Sequence, residues 1–324
     1  MCAVFLAPLN AKRPILVFAR RIWVALFALV AFAIMGYVIR EHHSLLAAAH
    51  LTRPWLLLLA ALIHGVFWLV AIAFWRYAVC VTTKKQISIG ESHRQLALVT
   101  VGKYVPGKVW GFLARGMALK QSATSTHGVF AATFAEQWAM IMSAGLVGGV
   151  LLLLIQPHGM LTVVGTVAVI TSLLGNHLFL FGTTVFQRVL AMVSYPTEAG
   201  PSMPLRYCQY LVLLLTHSLM WILMGSVLAS IYFAFSVQPF FLELYAVLML
   251  ANTVGIVVGF VALFAPGGLG VREAMTTAVL LPYIPLEQAA MLSIAFRVWT
   301  TSVDILLAIA LVWQTARASQ RLHV

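Results

Sequence analysis

Charged side chains are scarce in this chain, and acidic side chains are the scarcest. Asp, Glu, Lys and Arg make up 9% of its 324 residues, with 20 Lys and Arg against 8 Asp and Glu. A soluble domain carries about a quarter charged residues, so this chain cannot cover a soluble surface. We predict an all-α, multi-pass membrane protein with a single integral membrane domain over residues 1–324.

Cysteine is also rare, and the spacings that mark common catalytic sites are missing. Cys2, Cys80 and Cys208 lie far apart without a C-x-x-C pair, which argues against a disulfide framework or a metal site. The sequence contains no zinc-protease motif, phosphate-binding P-loop, nucleophile elbow or nucleotide fingerprint. We therefore predict no metal, no cofactor, no catalytic residue and no enzymatic activity.

The basic excess has a simpler explanation than nucleic-acid binding. Most Lys and Arg residues flank apolar spans, as the positive-inside rule requires, and no basic stripe on a soluble fold is evident. Lys12, Arg13, Arg20 and Arg21 precede the first span, so we expect a cytoplasmic N-terminus. The loops at 156–159 and 236–239 carry no Lys or Arg and are predicted to be external.

Long apolar runs dominate the chain. Each is long enough to cross a hydrocarbon core of about 30 Å. The predicted spans are 21–39, 54–79, 128–155, 160–186, 206–233, 241–263 and 287–313.

Two weaker segments, 88–116 and 264–282, are interrupted by Pro-Gly pairs and by charge. We predict re-entrant or broken helices there, because irregular backbone is tolerated at membrane depth only where protein or a water-filled cavity satisfies it. Each break follows two spans and precedes one, which favours an internal repeat with halves at about 15–187 and 204–316.

The crossing count is left at seven or eight. Seven crossings would leave the C-terminal tail outside, whereas Arg317 and Arg321 favour the inside. Either the second broken segment, 264–282, crosses fully or the tail is an exception.

The two breaks also supply the candidate substrate-binding residues. Pro and Gly open helix starts, whose free N–H groups and nearby cations favour a phosphate. The same residues allow simpler readings: membrane-edge anchoring for the first break, an Arg–Glu lock for the second, and an interhelical charge network on the last span. The candidates are Lys103, Pro106, Gly107, Lys108, Arg115, Gly267, Gly268, Arg272, Glu273 and Arg297.

Two carboxylates lie inside predicted spans. Glu136 should face the bundle interior, paired with Arg297 or with a cation of one of the two broken segments, or it could couple transport to protons. Asp304 lies seven residues after Arg297 on the last span and is a second candidate for a charge network or proton coupling.

The breaks resemble those of the flippase-like family named for the transmembrane region of lysylphosphatidylglycerol synthase. The resemblance rests on Gly102-Lys103-Tyr104-Val105-Pro106-Gly107-Lys108 with Arg115 downstream, on Pro266-Gly267-Gly268-Leu269-Gly270-Val271-Arg272-Glu273-Ala274, and on Ala295-Phe296-Arg297 with Asp304. It covers about the whole chain. It implies a protein that moves lipids or lipid-linked headgroups between membrane leaflets.

The sequence ends after the membrane domain, so we expect a standalone, envelope-associated protein without the synthase activity. We expect it in the bacterial inner membrane, with a lipid or polyprenyl-phosphate-linked substrate and with envelope glycosyltransferases or a lipid synthase as partners. One alternative is a membrane-embedded transferase that uses Glu41, near His42 and His43. Another is a non-transporting subunit of an envelope-assembly complex.

Overall fold

A computed structural model describes residue 40 and residues 51–104, 109–121, 126–156, 158–175, 177, 206–262 and 265–321. All regular secondary structure in these ranges is helical, as predicted. The α-helices are α1 (Trp55–Thr83), α2 (Ile89–Gly102), α3 (Val109–Gln121), α4 (Thr126–Ile155), α5 (Met160–Leu173), α6 (Tyr207–Phe235), α7 (Leu242–Val261), α8 (Val271–Leu280) and α9 (Leu286–Arg321).

Five of these helices are long and apolar enough to cross a membrane. They are Trp55–Thr83, Ala131–Ile155, Tyr207–Phe235, Leu242–Val261 and Leu286–Ala310. They match five of the predicted spans, which confirms the multi-pass membrane class. The predicted span 21–39 lies outside the described residues, and 160–186 begins as the shorter apolar helix α5.

The first broken segment forms a hairpin of two short helices, α2 and α3. Ser88 caps the start of α2, because its hydroxyl accepts the backbone N–H of Glu91 at 3.1 Å. α2 ends before the turn at Lys103 and Tyr104. Its 14 residues span about 21 Å, which is less than the core thickness of about 30 Å. The predicted interruption is therefore present.

The second broken segment turns sharply after α7. Gly267, Gly268 and Gly270 have φ of 58°, 74° and 78°, a left-handed region that glycine adopts without a Cβ penalty. The turn folds back against α7, because a Cβ on Gly268 would lie 3.1 Å from the carbonyl oxygen of Gly259. The following helix, α8, has only 10 residues.

α1 and α6 fix the direction of the chain within the bundle. The backbone N–H groups of Thr52 and Arg53 donate to the carbonyl of Ala234 at 2.9 and 3.0 Å, so α1 starts where α6 ends. We call this end of the bundle, where α1 starts and α6 ends, the first end. α8 runs antiparallel to α7, because Arg272 lies against Gly259 whereas Thr276 lies against Gly255 and donates to the carbonyl of Ala251. α7 itself begins just after the first end, at Leu242. The break and α8 thus return the chain to the first end, and α9 runs from there towards the opposite end.

Candidate functional site

The two breaks meet in the folded chain. The backbone N–H of Gly267 donates to the carbonyl oxygen of Lys103 at 2.8 Å. This bond joins two segments that lie far apart in the sequence and that both leave helical geometry. The two breaks therefore lie next to each other at a single place in the bundle, and α9 lies beside it.

Asp304 on α9 holds the first break. Its Oδ2 accepts the Lys103 ammonium at 2.7 Å and the Tyr104 hydroxyl at 2.6 Å. The Asp304 side chain is 8% exposed and that of Lys103 is 38% exposed. The carboxylate thus has two charge-assisted partners, of which the ammonium remains partly accessible.

Arg297, two turns earlier on α9, holds the second break. Its Nη1 donates to the carbonyl of Gly267 at 2.9 Å, and its Nε lies 3.5 Å from Glu273 Oε1. Its Nη2 is buried and has no hydrogen-bond partner among the described residues. One nitrogen of this guanidinium is therefore left without an acceptor in the part of the chain that the structure describes.

Arg272 adds a third cation. Its guanidinium carbon lies 4.9 Å from the centroid of the Phe296 ring, a distance at which cation–π attraction operates. Its Nη2 is also buried without a partner in the described ranges. We call Lys103, Tyr104, Arg272, Glu273, Arg297 and Asp304 the break cluster. It contains three cations and two carboxylates, so one positive charge is in excess.

A groove of about 480 Å³ opens beside the break cluster, between α8 and α9. Glu273 and Arg297 contribute its charged lining, Thr277 and Ser293 contribute hydroxyls, and the remaining side chains are small or apolar. The lining residues are Leu269, Gly270, Glu273, Ala274, Thr277, Ala278, Leu281, Ala290, Ser293, Ile294 and Arg297.

Arg115 and Glu136 form a separate buried pair. Arg115 Nη2 lies 2.5 Å from Glu136 Oε2, and the Arg115 side chain is fully buried. Its guanidinium carbon lies 3.9 Å from the Trp75 ring centroid, while Trp75 Nε1 donates to Gln95 Oε1 at 2.8 Å. This network connects α1, α2, α3 and α4 and contains no residue of the break cluster.

The family model for the transmembrane region of lysylphosphatidylglycerol synthase matches residues 14–308. This range includes both breaks, the Arg115–Glu136 pair and every residue of the break cluster. The chain belongs to this family. A search of curated proteins finds no match.

The structure of this member of the lysylphosphatidylglycerol synthase transmembrane family brings together five of the residues predicted from sequence. Lys103, Gly267, Arg272, Glu273 and Arg297 lie at the junction of the breaks, with Asp304 as partner of Lys103. Gly268 packs on α7. Pro106, Gly107 and Lys108 lie outside the described residues, as do Glu41, His42 and His43.

Two predicted residues, Arg115 and Glu136, lie elsewhere. Of the two partners expected for Glu136, the cation of the first broken segment is the one present. The geometry of Arg115 favours a structural role, and its role in substrate binding stays a prediction. Within the described part of the chain, no group of three or more His, Cys, Asp or Glu side chains could hold a metal ion.

Three hydroxyl-bearing side chains of this region were not among the predicted site residues. Tyr104 directly follows Lys103 in the first motif. Thr277 lies four residues after Glu273, and Ser293 lies four residues before Arg297. The i, i+4 spacing places the Thr277 and Ser293 hydroxyls on the same helix faces as their charged neighbours. This spacing is the sequence signal from which these two residues could have been predicted.

Proposed function

We propose that this protein moves an anionic or zwitterionic lipid, or a lipid-linked sugar, across the bacterial inner membrane, and that the break cluster binds the phosphate. The protein would work by transport rather than by chemistry, with its N-terminus in the cytoplasm. The observation that carries the proposal is the excess cation of the break cluster, with buried guanidinium nitrogens that lack an acceptor among the described residues.

Electrostatics favours an anion at this place. A charge inside a membrane protein is costly unless it is paired, and two carboxylates cannot neutralise three cations. α8 begins at Val271 with a Gly270 N-cap that makes no side-chain capping bond. The free N–H groups and positive dipole end of such a helix start add to the attraction for a phosphate. Broken helices at matching places are the usual position of a transporter site.

Glu273 adds a second requirement for the ligand. Its Oε1 lies 3.5 Å from Arg297 Nε, but neither of its buried carboxylate oxygens has a hydrogen-bond partner among the residues described. A donor beside the phosphate, either a sugar hydroxyl or an ammonium, would satisfy them. Lipid-linked sugars and zwitterionic phospholipids both offer such a donor, so both remain in the proposal. A synthase or an envelope glycosyltransferase that makes the lipid would be the natural partner.

Arg272→Gln tests the proposal most directly, because the Arg272 guanidinium contacts Phe296 rather than a carboxylate. Purified protein in sealed vesicles is assayed for movement of a fluorescent phospholipid and of a polyprenyl-phosphate sugar. We expect the variant to lose transport at least about tenfold, the effect of one charge-assisted bond to phosphate. Arg206→Gln, at the exposed start of α6, is the matched control and should transport normally.

Two results would contradict this proposal. Wild-type transport by Arg272→Gln would remove the break cluster as the phosphate site. Wild-type vesicles that move neither lipid would favour the non-transporting subunit instead. Mass spectrometry of the recovered lipids distinguishes transport from a transferase, because a transferase would alter the headgroup.

A further inference from the structure

We infer that the groove between α8 and α9 is the path of the lipid headgroup between the break cluster and the first end of the bundle, while the acyl chains stay outside it in the bilayer. This inference rests on the proposed function and extends it from a binding site to a route. It assigns a role to Thr277, Ala278 and Ser293 as groove-lining residues.

A polar stripe connects the two helices along the groove. Nearest the break cluster, Arg297 Nε lies 3.5 Å from Glu273 Oε1. One turn further towards the first end, Thr277 Oγ1 lies 3.2 Å from Ser293 Oγ. The spacings 273–277 and 293–297 keep these four side chains on facing stripes of α8 and α9. A headgroup leaving the break cluster would therefore meet hydroxyl groups next.

The volume of the groove fits a headgroup. Its volume of about 480 Å³ lies within the range of about 300–1,000 Å³ that small-molecule sites occupy. Ala274, Ala278 and Ala290 line it, so no long side chain fills the space at those positions. A bulky residue at any of them would narrow the path.

Charge and polarity identify the occupant as a lipid phosphate. Arg297 lines the groove and is only 7% exposed. Its Nη2 has no hydrogen-bond partner in the described structure. The rest of the lining includes Leu269, Leu281 and Ile294, whose apolar surface suits the glycerol backbone next to a lipid phosphate rather than a free ion.

Cysteine labelling tests whether the groove admits water. In a background without Cys2, Cys80 and Cys208, Ala278→Cys is exposed to a charged, membrane-impermeant thiol reagent in vesicles. We expect labelling at least about tenfold faster than for Leu306→Cys, a control on α9 that is 65% exposed and predicted to face lipid. Equal, slow labelling of both positions would overturn the inference.

Protection identifies the ligand. A short-chain phospholipid should slow the labelling of Ala278→Cys at least about fivefold, whereas glycerol phosphate at the same concentration should not. Equal protection by both compounds would mean a free phosphate ligand and would overturn the lipid assignment.

Ala278→Trp tests the route itself. We expect lipid movement at least about tenfold slower than in Leu306→Trp, with an unchanged melting temperature in both variants. Transport at the wild-type rate in Ala278→Trp would overturn this inference alone and leave the proposed function intact. A wild-type protein that moves no lipid would remove the proposed function, and this inference with it.

Discussion

At the scale of single residues, Arg115 shows how a buried charge is stabilised inside the bundle. Its side chain is fully buried, its guanidinium lies over Trp75, and Glu136 is its carboxylate partner. Loss of one member of a buried ion pair leaves the other charge without compensation, whereas replacement of both by apolar groups is often neutral. Removing one member of the pair should therefore destabilise the protein more than removing both.

We predict that Glu136→Leu lowers the free energy of unfolding by about 3–5 kcal/mol, because Arg115 stays buried without its anion. The double variant Arg115→Leu/Glu136→Leu should recover most of this loss. Thermal unfolding in detergent measures both. Glu287→Leu, exposed in the first turn of α9, is the control and should change stability by less than about 1 kcal/mol. A double variant as unstable as the single one would contradict the argument.

Sequence alone identified most charged members of the site, because an ionisable residue in an apolar span stands out. It did not identify their pairing. Glu136 had two eligible partners, and Asp304 was given no specific one, since pairing depends on how the helices approach one another. Tyr104 and Ser293 were missed because hydroxyl and aromatic side chains are ordinary in membrane helices.

At the scale of helices, close backbone contacts hold the broken segments in place. A Cβ on Gly111 would lie 2.9 Å from both the Cα and the carbonyl oxygen of Val99, which joins α3 to α2. A Cβ on Gly259 would lie 3.0 Å from Arg272 Cβ, which joins α8 to α7. Small residues allow such close approach in membrane bundles. A glycine thus allows close packing of α3 on α2 and of α8 on α7, and the position of the break cluster depends on these contacts.

We predict that Gly111→Ala destabilises the protein by about 1–3 kcal/mol, the usual cost of overpacking, because the backbone of α2 cannot move aside as a side chain could. Gly90→Ala on α2 is the matched control, since its Cβ would meet no atom within 4 Å. That variant should be neutral or slightly stabilising. Thermal unfolding measures both variants, and an equal effect at the two positions would show that α2 and α3 are not in close contact.

The sequence predicted where the helices break, because Pro-Gly pairs and charge interrupt an apolar pattern visibly. It could not predict that the breaks touch. The bond between Gly267 N–H and the Lys103 carbonyl is a tertiary contact between backbone atoms, which no side-chain pattern reports. For the same reason, the direction of the chain through 264–282 stayed open until the antiparallel packing of α8 on α7 fixed it.

At the scale of the whole molecule, the return of the chain at α8 decides which ends of the helices share a side of the membrane. α8 runs back along α7, from Arg272 against Gly259 to Thr276 against Ala251, so α9 begins on the side where α6 ends. The loop at 236–239 is predicted to be external from its lack of cations. The start of α9 should then be external too, and the loop after α1 should lie in the cytoplasm.

We predict that an impermeant thiol reagent added to intact cells labels Gln238→Cys and Glu287→Cys but not Gln86→Cys, each in a cysteine-free background. All three positions are exposed, so burial does not decide the result. Permeabilised cells should show labelling at all three positions, which controls for expression and reactivity. If Glu287→Cys and Gln86→Cys show the same labelling and Gln238→Cys shows the opposite, α8 does not return the chain to the first end. Labelling of Gln86→Cys alone would instead invert the orientation while keeping the arrangement of the helices.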